Sequence, residues 1–72
     1  MTLTLKDFER KEIDGVPYFE YRNDPKMACI VPRLFDRITA QVYDTTKSTM
    51  FAQREKHFET IEECLDWINE NT

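Results

Sequence analysis

Gly15 is the only glycine in a chain of 72 residues. Loops that cradle phosphate need several glycines, because the backbone must approach the anion without Cβ atoms in the way. A P-loop or dinucleotide fingerprint is therefore excluded. Histidine and serine are just as scarce, with His57 and Ser48 the sole examples. Nucleophilic catalysis needs a nucleophile beside an oriented base. Nothing in the spacing of Ser48, His57, Cys29 and Cys64 points to such a pair. The two cysteines stand alone, in no C-x-x-C pattern, so a structural zinc site is not expected. Glu55, His57 and Glu59 alternate and share one strand face, which reads as a solvated strand end rather than a metal site. General acid–base work needs carboxylates in a cleft, and the acidic residues here fall in turns or on a helix face. The sequence reads as a non-enzyme with no cofactor and no bound metal.

Long apolar runs are also missing. None approaches the roughly 18 residues that span a bilayer. The start, Met-Thr-Leu-Thr-Leu-Lys-Asp, has no basic segment leading into an apolar one. No membrane association is expected, and the cytoplasm is the expected compartment. There, two isolated cysteines in apolar surroundings are expected to be reduced core residues.

What remains is a chain that is 40% apolar, with five Phe, three Tyr and one Trp. Large rings bury much area per residue and help a short chain build a core. Residues 1–72 are expected to form one small domain. Ten basic and fourteen acidic residues leave a net charge of −4, the profile of an ordinary hydrated surface.

The clearest structural signal is at the C-terminal end. Thr60-Ile61-Glu62-Glu63 has the capping-box pattern, in which a Thr hydroxyl and a Glu three residues later satisfy free backbone N–H groups. Ile61, Cys64, Leu65 and Ile68 then follow the i, i+3, i+4, i+7 spacing of one helical face. This predicts a helix over 60–70. So short a helix needs a surface to lie on.

That surface is expected to be a sheet. Asp14-Gly15 is a two-residue hairpin signal between Ile13 and Val16, so 10–13 and 16–22 read as paired strands. Pro17 cannot donate a ladder hydrogen bond, which places the second of these strands on a sheet edge. Asn23-Asp24-Pro25-Lys26 reads as a turn. Met27 to Val31 is a nearly continuous apolar run, as in a buried strand, and Pro32 ends it. Ile38, Ala40 and Val42 alternate along a further strand. Thr49 to Phe58 reads as another, with a bulge or break because Phe51 and Phe58 fall on opposite faces. Thr4 to Arg10 leans towards a short helix, although Leu3 and Leu5 also alternate as in a strand. The fold expected is α+β: a small three- to four-stranded, mostly antiparallel sheet with a C-terminal amphipathic helix packed on one face.

Candidate binding residues cluster after Pro32. In Arg33-Leu34-Phe35-Asp36-Arg37, two apolar side chains stand between arginines, and aromatics and Arg are enriched at interface hot spots. From Lys26 to Lys56 basic residues outnumber acidic ones, whereas Glu59, Glu62, Glu63, Asp66 and Glu70 follow with no basic residue among them. Such a dipolar chain, without catalytic inventory, reads as a small protein-interaction module, a regulator or inhibitor that acts by binding another protein. Arg33, Leu34, Phe35, Arg37, Tyr43 and Arg54 are the expected contacts. A free sheet edge also offers a route to a homodimer. The alternative is a nucleic-acid-binding accessory protein with Arg33, Arg37, Tyr43 and Arg54 on a mildly basic sheet face. Net acidity weighs against it, because phosphate binding depends on a positive field.

Overall fold

A computed structural model of the chain describes residues 2–32 and 37–71. The elements are a 3-10 turn at Leu5–Asp7, then β1 (Glu9–Ile13), β2 (Val16–Asn23), β3 (Lys26–Pro32), β4 (Ile38–Asp44), β5 (Arg54–Phe58) and α1 (Ile61–Asn71). The strands form one antiparallel sheet in the order β1-β2-β3-β4-β5. The α+β class, the antiparallel sheet and the packed C-terminal helix match expectation; among the described residues the strand count is five rather than three or four.

Local chemistry explains the boundaries. Asp14 and Gly15 have φ of 51° and 81°, as a type I′ hairpin turn requires. They set the register Ile13↔Val16, Lys11↔Tyr18, Glu9↔Glu20. Pro17 corrects one expectation. β2 is an interior strand, flanked by β1 and β3. Pro17 is tolerated because the described β2–β3 pairing ends at Phe19↔Ile30, before it reaches the proline. The missing N–H therefore costs no ladder bond.

The expected strand from Thr49 resolves as a break. The chain loops from Thr45 to Gln53, returns when the Gln53 N–H donates to the Val42 carbonyl at 2.9 Å, and pairs as β5 only from Arg54. The Ser48 hydroxyl holds the loop by accepting the N–H groups of Met50 and Phe51. At the N-terminus the helix expected over 4–10 shrinks to a single 3-10 turn, capped when the Thr4 N–H donates to the Asp7 carboxylate at 2.8 Å. β1 takes over from Glu9 because five pairs with β2 outweigh another helical turn.

One face of the sheet is covered. Ala28, Ile30, Ala40 and Val42 project towards Cys64 and Ile68 of α1, and Leu3 and Phe8 complete the cluster. Ile30, Ala40, Cys64 and Ile68 are fully buried. The stripe read from the sequence thus faces the strands, with Ile61 and Leu65 at its half-buried margins. Small Ala28 and Ala40 let the helix approach the middle of the sheet closely. Phe58 and Trp67 tilt together with ring centres 6.0 Å apart, and Phe8 and Tyr21 do the same at 5.9 Å.

The N-terminal segment is tied to the helix by one side chain. Asn69 accepts from the Leu3 N–H at 2.7 Å and donates to the Leu3 carbonyl at 3.0 Å. Thr60 caps α1, its hydroxyl accepting the Glu63 N–H at 3.2 Å.

Candidate interaction surface on the open face of the sheet

Strand alternation sends every second residue to the face that α1 does not cover. The register arranges these residues in rows. Ile13 and Val16 stand at the hairpin tip. The next row holds two paired stretches, Lys11 with Tyr18 and Val31 with Thr39 and His57, on either side of the point where β2–β3 pairing has ended, and the row after it runs unbroken through Glu9, Glu20, Cys29, Gln41 and Glu55. Arg22, Met27 and Tyr43 form the last.

Part of this face forms a groove of about 480 Å³, with buried Met27 and Cys29 and half-buried Val31 along its floor and Thr49 of the β4–β5 loop at its far end. Its margins are polar and bonded. Lys11 forms an ion pair with Glu20. The Tyr43 hydroxyl donates to Gln41 at 2.8 Å, and the Gln41 amide donates to Glu55 at 2.8 Å. Thr39 Oγ1 and His57 Nδ1 lie 2.9 Å apart, which partners the one fully buried hydroxyl in this face. The large apolar side chains exposed among the described residues are Ile13, Val16, Met50 and Phe51. The first pair lies at the hairpin end of the groove and the second beside Thr49 at the other end.

Two groups of the groove are held towards their neutral forms. Burial pushes the Cys29 thiol up to about 12, with the Glu20 charge adding to the shift. Burial likewise pushes the Tyr43 hydroxyl up to about 12. Both groups stay neutral at physiological pH, so neither is a ready nucleophile. Cys64 lies on the other side of the sheet, in the helix-facing core, and burial pushes its thiol up to about 11. The sheet stands between the two cysteines, and both are free thiols.

The chain matches no family model, no curated protein and no solved structure.

Of the residues expected to form a binding site, Arg33, Leu34 and Phe35 lie outside the described residues. Arg37 is exposed beside His57, Phe58 and Glu59. Tyr43 belongs to the open face. Arg54 pairs with Val42 and so projects to the helix side, where its guanidinium donates to the Asn71 side chain at 2.9 Å. Tyr43 and Arg54 both border a hollow of about 540 Å³ at one end of the sheet, but Asp44 and Glu70 share it with Lys26 and Arg54. This balanced lining has no net positive field to attract phosphate. The open face is not basic either: Glu9, Glu20 and Glu55 stand against Lys11 and Arg22. The expected basic sheet face is absent among the described residues because alternation sends Arg54 and Lys56 to the opposite side.

The residues the sequence reading missed are Tyr18, Met27, Cys29 and Val31. A signal for them existed. The unbroken apolar run of β3 means that both of its faces meet apolar neighbours, whereas the helix covers only one.

Among the described residues no helix is long and apolar enough to cross a membrane. Nor do three His, Cys, Asp or Glu side chains gather there as metal ligands.

Proposed function

We propose that this chain is a small protein-binding module, a regulator or inhibitor that acts by occupying a partner's surface, and that the open face of the sheet makes the contact. The supporting observation is the groove itself: an apolar floor of Met27, Cys29 and Val31 inside a rim of paired polar groups. An apolar centre with a polar rim is the anatomy of protein interfaces.

The sheet edges favour this face over edge pairing. β1 and β5 have only five residues each, and they carry Glu9, Arg10, Lys11, Glu12, Arg54, Glu55 and Lys56. Short, charged edge strands discourage backbone pairing with another chain. The acidic outer surface of α1, with Glu62, Glu63, Asp66 and Glu70 exposed, is a source of long-range steering rather than of contact energy.

Capture from a cell lysate tests the proposal. A partner retained by the wild-type chain should be lost with Val31→Lys, which places a charge in the groove, and kept with Glu62→Lys on the helix. Capture indifferent to Val31→Lys would overturn it.

A further inference from the structure

We propose that two copies of this chain pair through their open sheet faces, in an antiparallel, two-fold arrangement that closes over half-buried Val31 at its centre, beside Cys29, which its own chain already buries. This rests on the reading of the open face as a docking surface and adds the occupant.

The argument comes from the order of the rows. A two-fold axis lying between two stacked sheets, perpendicular to their strands, lays each strand over its own copy with direction reversed. Placed between the Val31 row and the Cys29 row, the axis sets every residue of one row over its neighbouring row in the second copy. Lys11 then lies over Glu9, Tyr18 over Glu20, and His57 over Glu55 of the second copy, while Val31 meets Cys29. Each carboxylate of the acidic row faces a hydrogen-bond donor: an ammonium, a phenol or an imidazole N–H. Lys11 serves its own Glu20 and still has N–H groups for the second copy. Because the interface is isologous, each of these contacts occurs twice.

Size and charge agree. Five strands about 4.8 Å apart, with a rise of about 3.3 Å per residue, give a face of roughly 24 by 20 Å. Two such faces, with side-chain relief, bury on the order of the 1,000 Å² that a specific interface needs. Stacked sheets sit about 10 Å apart and pack with strands roughly aligned. Glu62, Glu63, Asp66 and Glu70 lie on the covered side of each sheet. In the pair they end up on opposite outer surfaces, separated by more than the roughly 8 Å screening length of physiological salt. The net charge therefore opposes pairing only weakly.

Sedimentation equilibrium of the purified chain tests the proposal. The wild type should move from 8.7 kDa towards twice that mass as concentration rises from about 10 μM to about 1 mM, the range of modest affinities. Val31→Lys at the centre, and Glu55→Lys on the strand farthest from β1, should each weaken association at least tenfold. Circular dichroism checks that both stay folded. Glu9→Lys and Lys11→Glu should each be monomeric alone and should associate when mixed, because the mixture restores opposite charges across the axis. A wild type that stays monomeric at the highest concentration overturns the proposal. So does a dimer indifferent to Val31→Lys and Glu55→Lys, which would place the contact at the β1 edge. Neither result touches lysate capture, which tests the docking reading by itself.

Discussion

The two thiols report on the two sides of the sheet. Cys29 lies in the groove floor and Cys64 under the helix, and burial raises both above the ordinary thiol value of 9.0, to about 12 and about 11. Both are buried in the folded chain, so a thiol reagent at neutral pH should label neither in the native chain and both after unfolding. The pH dependence of stability follows from the same shifts. Above about pH 9 the unfolded chain loses thiol protons that the folded chain keeps, so ionisation favours the unfolded state. Stability should be intact below that point and fall as pH rises towards 11 to 12. Denaturation midpoints at pH 8 and pH 10.5 check it, and equal midpoints would contradict the burial of these groups. Asn69 matters in a different way. Its amide grips both backbone groups of Leu3, and removing one partner leaves part-buried polar groups unmet. Asn69→Ala should cost about 1 to 2 kcal/mol, read from urea midpoints.

Each element depends on a few positions. The hairpin depends on Gly15, whose φ of 81° disfavours side chains although a Cβ there would meet nothing within 4 Å. Gly15→Ala should therefore cost only the backbone term, about 1 to 2 kcal/mol, and Gly15→Asn less. A larger loss would mean that the turn makes contacts beyond its own geometry. The helix depends on Ile68, fully buried against the strands. Ile68→Ala should cost about 2 to 5 kcal/mol, enough to unfold much of a domain this small at room temperature. Far-ultraviolet circular dichroism during a thermal scan measures it.

The helix and the hairpin are also the elements that the sequence announced most plainly. Thr60 with Glu63, and Asp14 with Gly15, are local chemical signals that need no tertiary context. The strand beginning at Thr49 was harder to read. Phe51 looks like a strand residue by propensity, but it is held in a loop by the Ser48 hydroxyl and the return of Gln53 to Val42. Pro17 misled for a similar reason. Its effect depends on how far the pairing of the next strand reaches, which is a long-range property. The groove was partly legible, since the run Met27 to Val31 shows apolar demand on both faces. Which residues of other strands join it depends on register, and a one-residue slip would exchange the two faces entirely.

At the scale of the whole molecule, the central strands carry the fold. β3 and β4 are paired on both sides and are covered by α1, whereas β1 has one neighbour and lies outside the main helix contact. Amide exchange should therefore be slowest in β3 and β4 and fastest in β1 and the segment 45–53. Equal protection across the sheet would show that the β1 edge is as firmly held as the centre. Tyr43 and Arg54 show why a list of candidate contacts taken from sequence alone divides here. They sit near each other at one end of the sheet, yet alternation directs one to the groove and the other to the helix terminus.

Along β3 and β4 the residues that hold the protein together interleave, one by one, with those that face outwards. Ala28 and Ile30 answer to the helix, while half-buried Val31 turns the other way. A lineage carrying this sheet can thus rewrite the exposed letters of that face, such as Glu9, Arg22 and Glu55, while leaving the buried ones untouched. Substitution at such exposed positions leaves the scaffold intact.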